Sequence, residues 1–339
     1  MRISIRTALT AAAILGLTVG GASAQGKLTI SVWGGGYGET WKREVLDAFV
    51  KKTGIDVTLD MGPSSQRLSK LLAARGGPDL ILLTDHQMAI AHQRGLLEPV
   101  NAANIPNLAN LHDFAKDPFG KGMCPAVVLL GTGIAYNRQH IASPPKSWKV
   151  LQQRDLPAAV AFMDMAFSVA PSMLVHLAEM NGGSINNIEP GLKVMADMKD
   201  RARFFKLFEV LDWINRGEVS VAPMLNIFVK NDPKVPLAFT FPDDGLIGVV
   251  NMGCVVKGAA NKRNAELFLN HYLSPESQAQ SAKTFGETPV NKQSQIPAGI
   301  PYQIVPVERI PTMKFYDPQV IARNLPKWND QFQERIVAK

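Results

Sequence analysis

The run Leu80-Ile81-Leu82-Leu83 constrains this chain more than any other stretch. Four consecutive branched apolar residues after Asp79 are too few for a helix. They read as a strand buried on both faces, and such strands belong to parallel sheets covered by helices on either side. The preceding residues fit the same frame. Residues 27–33 alternate polar and apolar side chains, as a half-buried strand does. Gly34, Gly35, Gly36 and Gly38 break that strand, and from about Glu39 the residues Trp41, Val45, Phe49 and Val50 recur at helical spacing. Gly54, after Lys51 and Lys52, reads as the helix stop. Residues 55–59 form a second strand, and Leu68, Leu71 and Leu72 mark a second helix closed by Gly76 and Gly77. The order is βαβαβ, an α/β arrangement with helices on both faces of the sheet.

The second half is read more coarsely. Residues 125–137 form one or two strands, and Pro144-Pro145 is a turn or linker. Residues 173–180, 192–198 and 204–214 look helical. Residues 219–222 form a strand ending at Pro223, and residues 246–256 a long apolar strand. Ala265, Phe268, Leu269 and Tyr272 share one helical face, and a last helix spans about 318–336.

The N-terminus addresses the compartment. Arg2 and Arg6 precede an apolar run over 8–19, and Ala22-Ser23-Ala24 is the small-residue pattern that signal peptidase accepts. The run is shorter than the ~20 residues that span a bilayer, so residues 1–24 are expected to be a cleaved signal, with the mature chain starting near Gln25 and exported. Removing that segment takes two of the 36 basic residues and none of the 29 acidic ones, leaving a net charge of +5. No dense basic stripe interleaved with aromatics is present, which argues against nucleic acid. In an oxidising compartment Cys124 and Cys254 form either one disulfide or two buried thiols, and sequence alone leaves both open.

Several ordered segments resemble one family, the spermidine/putrescine-binding proteins of ABC importers. They include Phe49-Val50-Lys51-Lys52-Thr53-Gly54-Ile55-Asp56-Val57, Pro78-Asp79-Leu80 and Gly131-Thr132-Gly133-Ile134-Ala135-Tyr136-Asn137. Gly217-Glu218-Val219, Pro242-Asp243-Asp244-Gly245, Lys257-Gly258-Ala259-Ala260-Asn261-Lys262 and Thr288-Pro289-Val290-Asn291 follow in the family's order. The resemblance implies a two-lobed periplasmic binding protein of type II, hinge-bending, with the ligand cleft between two α/β lobes. It implies one lobe from 25–130 plus 255–300 and a second from 131–254 plus 301–339. It places the crossing strands near 124–136 and 246–256, both cysteines on them, and so a Cys124–Cys254 disulfide. The implied partners are a small-molecule ligand and an inner-membrane ABC permease with its ATPase, the protein itself being a monomer with no cofactor.

Candidate ligand-binding residues come from strand ends and from the family map. Trp33, Gly35, Gly36 and Tyr37 lie where a strand turns into a helix, a geometry whose free backbone N–H groups suit an anion, with Trp33 and Tyr37 as an aromatic wall. A dinucleotide loop is excluded, because Glu39 occupies the third glycine position counted from Gly34. Thr84 and Asp85 follow the buried strand, at the carboxyl edge where such sheets bind ligands; Asp85 suits either an ammonium or a helix cap. The family map adds Thr132, Ser168, Asn226 and Asn251. Where polyamine binders carry acids and aromatics, this chain aligns Ser168, Pro171, Leu225 and Asn251. Buried ammonium groups need paired charge, so a zwitterionic amine, an amino-acid-like solute or a carboxylate is expected over a simple polyamine. Arg201 and Arg203 read as solvated residues at a helix end. The six histidines show no metal-ligand spacing, and no adjacent tyrosine pair suggests ferric iron. A true putrescine or spermidine binder, an exported enzyme with Cys124 as nucleophile, and a sensory accessory stand as alternatives.

Overall fold

The computed structural model describes residues 26–73 and 77–338. The expected signal segment 1–24, the expected mature start at Gln25 and the expected stop at Gly76 lie outside the described residues. The chain opens with β1 (Lys27–Val32), α1 (Gly35–Trp41), a π turn over Lys42–Leu46, α2 (Asp47–Thr53), β2 (Asp56–Met61), α3 (Ser64–Ala73), β3 (Leu80–Thr84) and α4 (Asp85–Gln93). β1 pairs in parallel with both β2 and β3, and β3 is buried along its whole length, as its unbroken apolar run requires. After the short α5 (Asp113–Lys116), β4 (Ala126–Asn137) is a single strand of 12 residues, all buried.

The second lobe holds β5 (Ala159–Met163), α6 (Ala170–Met180), α7 (Glu189–Asp197), β6 (Ala202–Phe205), α8 (Glu209–Asn215), β7 (Val219–Leu225) and β8 (Leu237–Thr240). The chain returns along β9 (Ile247–Val255), then α9 (Lys262–Tyr272), α10 (Pro275–Phe285) and α11 (Pro318–Phe332). Among the described residues one sheet runs β2-β1-β3-β9-β4-β7-β5-β6, with β8 also paired to β4. β9 pairs with β3 in the first lobe, and β4 pairs with β7 in the second. β4 and β9 pair antiparallel with each other between them. These two strands are the crossing, and the result is a two-lobed α/β fold.

Three readings of the sequence are corrected. The first helix begins at Gly35, so the glycines form its first turn rather than a loop before it. Residues 204–214 are not one helix: Phe204 and Phe205 close β6, and α8 starts at Glu209. The strand at 219 continues through Pro223 to Leu225. The β5–β7 pairing ends at Val221, so Pro223 has no second strand beside it that needs its missing N–H.

Cys124, two residues before β4, and Cys254 on β9 are bonded, with their Cα atoms 5.0 Å apart. Cys124 is 1% exposed. A buried, bonded sulfur supplies no thiolate, which overturns the reading of Cys124 as a nucleophile.

Candidate functional site

In the first lobe the site is built by the turn from β1 into α1. Gly35 takes φ +67°, a conformation that favours glycine, and a side chain at Gly38 would lie 2.2 Å from the Trp33 carbonyl oxygen. This tight turn leaves Gly35 and Gly36 exposed and sets Trp33 and Tyr37 side by side, half-buried and edge to face at 5.8 Å. Tyr37 also packs on Phe285 at 4.6 Å. The Arg67 guanidinium lies 5.3 Å from the Trp33 ring centre and donates to the carbonyl oxygens of Gly62 and Leu82. Burial lowers the Arg67 pKa to about 10, so it keeps its charge at neutral pH.

Behind Tyr37 lies a buried carboxyl group. The Tyr37 hydroxyl donates to Glu287 Oε1 at 2.6 Å, and Glu287 is 1% exposed. Glu287 Oε2, Tyr272 OH, Ser281 Oγ and Trp41 Nε1 are buried without a hydrogen-bond partner. Burial drives the Glu287 pKa up to about 7, against the opposing pull of its Tyr37 and Ser281 neighbours. Glu287 is therefore largely protonated below neutral pH.

At the end of β3, Thr84 donates its hydroxyl to Gln87 Oε1 at 3.0 Å. Asp85 is the first residue of α4, and its Oδ1 accepts from the His86 backbone N–H at 2.7 Å. That oxygen serves the helix start, where an acid is favoured.

The floor comes from the crossing strands. Thr84 pairs with Asn251, Asn251 with Val128, and Thr132 with both Ile247 and Leu225. Because side chains alternate along a strand, Asn251, Val249, Leu130 and Thr132 share one face. Cβ atoms added to Gly131 and Gly248 on the other face would strike Phe241, Val305 and Phe315, which cover it. Asn251 Oδ1 and Thr132 Oγ1 are buried without a partner. They stand four residues apart, roughly 13 Å along the strands.

The second lobe carries a group of rings. Phe167, Phe208 and Phe228 touch in series, Phe208 lying 6.4 Å from Phe167 and 4.5 Å from Phe228. Phe208 is 46% exposed. Glu209 accepts from the backbone N–H groups of Lys206 and Leu207 and fixes this loop. Ser168 is half-buried in the β5–α6 connection. Asp164 follows β5 directly, and its Oδ1 accepts from the Ala166 N–H at 2.9 Å.

Asn226 has a different place from the one the family map suggested. It is fully buried, its Oδ1 accepts from the Gly131 N–H, and its amide donates to the Gly286 and Gln303 carbonyls. Its side-chain amide ties the end of β7 to the crossing strand β4 and to the segments at Gly286 and Gln303. Arg203 pairs with Glu218 on the surface, away from these strand ends. Sequence reasoning passed over Glu287, Asp164 and the Phe167–Phe208–Phe228 group. A lone acid in the apolar run 285–290 was a signal for the first, but no local pattern brings three distant phenylalanines together. Among the described residues no group of three or more His, Cys, Asp or Glu is placed to hold a metal ion.

The family model described as bacterial extracellular solute-binding protein matches residues 44–303. The chain is 24% identical to the putrescine-binding periplasmic protein PotF of Escherichia coli over 296 residues, covering 79% of each chain. It is 23% identical to the putrescine-binding periplasmic protein SpuD of Pseudomonas aeruginosa over 267 residues, covering 70% of this chain and 72% of that one. Among solved structures, an ABC transporter protein from Clostridium perfringens superposes with a TM-score of 0.79 at 23% identity, over 91% of this chain and 99% of that one.

Proposed function

This chain belongs to the family of bacterial extracellular solute-binding proteins, and from that premise we propose that it is the periplasmic solute-capturing component of an ABC importer. It holds a small polar organic solute between its lobes as a monomer and delivers it to an inner-membrane permease driven by an ATPase. The role is binding, not turnover. The ligand is a zwitterionic amine, an amino-acid-like solute or a carboxylate rather than a simple polyamine.

One observation carries the choice of ligand: the unpartnered Asn251 Oδ1 on the floor. A neutral amide oxygen accepts a hydrogen bond from an ammonium but does not neutralise it. A dication buried there needs carboxylates, because isolated charge is costly to bury. A zwitterion brings its own counter-charge, and Thr132 Oγ1, further along the same face, receives its other end. Trp33 and Tyr37 on one side and Phe208 and Phe228 on the other enclose the body of the solute.

A second reading, a putrescine binder, draws on Asp85 and Asp164, acids at the ends of β3 and β5. PotF and SpuD, by their names, bind putrescine. Titration calorimetry with 4-aminobutyrate, putrescine and spermidine separates the two. Saturable binding of the amino acid, with a matching rise in melting temperature, is the expected result, since a ligand that binds only the folded state stabilises it. Tight binding of either polyamine, with no response to the amino acid, overturns the zwitterion reading and leaves the transport role standing.

A further inference from the structure

We propose that the back of the crossing carries a second ligand site, which takes a small amphiphilic carboxylate. The site does not depend on the identity of the solute held between the lobes. It is a cavity of about 260 Å³, lined by His112, Thr288, Lys292, Ser294, Ile296 and Val307 among others. It lies on the face opposite Asn251 and Thr132. Val305, which covers that opposite face, takes the Thr288 hydroxyl as acceptor for its N–H at 3.1 Å.

Three observations converge on the ligand's chemistry. The first is apolar. Ile296 and Val307 line the cavity and are 38% and 56% exposed, although they are large aliphatic residues. From His112 the apolar surface continues through Phe114 to Phe315, stacked rings at 5.8 Å and 4.9 Å, and Phe315 is 39% exposed. Exposed apolar side chains gathered around one cavity mark a binding surface more often than a slack core.

The second observation is polar. Ser294 Oγ is buried with no hydrogen-bond partner, so a hydroxyl at this cavity waits for one. The third is charge. Lys292 and His112 are the ionisable groups of the lining, and both are basic. The neighbouring acid, Asp113, is held at 2.8 Å by Lys116. A carboxylate meets Lys292 and Ser294 and accepts from the His112 ring, while a short alkyl chain lies between Ile296 and Val307. An inorganic anion would use only the basic half of the lining, and an alkylamine only the apolar half.

The cavity wall at Thr288 hangs from β4, and the neighbouring ring surface at Phe315 hangs from β9. Thr288 exchanges two backbone hydrogen bonds with Leu129 of β4, and Lys314, next to Phe315, bonds to Leu246 and Gly248 beside and on β9. The segments that would hold the carboxylate are thereby fixed in place before it arrives.

The test is a titration of the full mature protein with sodium hexanoate, read by proton–carbon NMR of the histidine rings and the isoleucine and valine methyls. Saturable shifts at His112, Ile296 and Val307 are expected, with affinity reduced at least tenfold, or about 1.4 kcal/mol, in both K292E and V307W. K292E changes an exposed residue, so it keeps the test open should V307W fail to fold. Equal response to hexylamine would overturn the charge assignment. Equal response to acetate would remove the alkyl slot. Shifts that survive both substitutions, or the absence of saturable shifts, would dispose of the site.

Discussion

Each lobe buries one titratable side chain beside a tyrosine, and the two are buried to opposite effect. In the first lobe Glu287 accepts from Tyr37, faced by Tyr272 and Ser281, and burial raises its pKa from 4.5 to about 7. In the second, His176 on α6 shares a hydrogen bond of 2.9 Å with Tyr316, faced by Lys314, Glu179, Asp244 and Trp148. Burial, with the nearby Lys314 charge, lowers its pKa from 6.5 to about 4. The cause is the same, a penalty on the charged form. An acid answers it by keeping its proton and a base by refusing one. The surroundings differ as well. Glu179 and Lys314 place an ion pair beside His176, whereas the groups beside Glu287 are the hydroxyls of Tyr37, Ser281 and Tyr272.

The signs of the two stability contributions follow from linkage. Glu287 has a raised folded pKa, so its contribution is complete below about pH 4.5 and is lost as pH rises through about 7. His176 has a depressed one, so its contribution is complete above 6.5 and is lost as pH falls toward about 4. The two slopes oppose each other between about pH 4.5 and 6.5, and stability is expected to be flattest there.

The largest expected effect tests whether the two lobes report one unfolding event. The Cys124–Cys254 bond closes a loop with a sequence separation of 130. Chain entropy for such a loop amounts to about 5 kcal/mol at most. The C124S/C254S pair should lose a large part of that in denaturant unfolding, and two separated transitions would show that the bond, beyond the shared sheet, makes the molecule one cooperative unit. Next, E287Q should abolish the downward slope that Glu287 contributes between about pH 4.5 and 7, so that stability rises up to about pH 6.5 where the parent is flat, and should stabilise the protein at pH 8 by up to about 3 kcal/mol. An unchanged pH profile of the melting temperature would remove Glu287 from the comparison. H176Q should abolish the opposite slope on the acid side, by a comparable amount because the displacement from 6.5 to about 4 matches that from 4.5 to about 7; a profile like that of the parent would mean His176 does not titrate in this range. The smallest effect is expected from Y37F, about 1 kcal/mol for one lost hydrogen bond. It should also move the Glu287 midpoint further up, since the Tyr37 hydrogen bond lowers it, and carbon NMR of the Glu287 carboxyl reads that shift directly.

The same contrast explains what was legible in the sequence. β3 was readable because all five of its residues are buried, and α9 because Ala265, Phe268, Leu269 and Tyr272 repeat at its period and are all 0% exposed. The α1 start was misplaced because Gly34, Gly35, Gly36 and Gly38 have low helix propensity, and the close approach of the Trp33 carbonyl to Gly38 overrides it. β6 was hidden because Phe204 and Phe205 continue without a break into the residues before α8. Trp33, Tyr37, Thr84 and Asp85 stand out because they end strands. Asn226 does not reveal its role, because its partners lie 95, 60 and 77 residues away.

The sequence alone determined the alternation of strands and helices, the buried parallel strand and the order of motifs that marks the family, because burial period and turn chemistry are local properties. It also held both cysteines and the neutral Asn251 and Thr132. Only the tertiary structure decided that the cysteines meet, that Asn226 is a tether, that Glu287 stands behind Tyr37 and that three phenylalanines form one wall. Each of these depends on a distance between residues far apart in the chain, and on the water removed when they meet, neither of which any local pattern encodes.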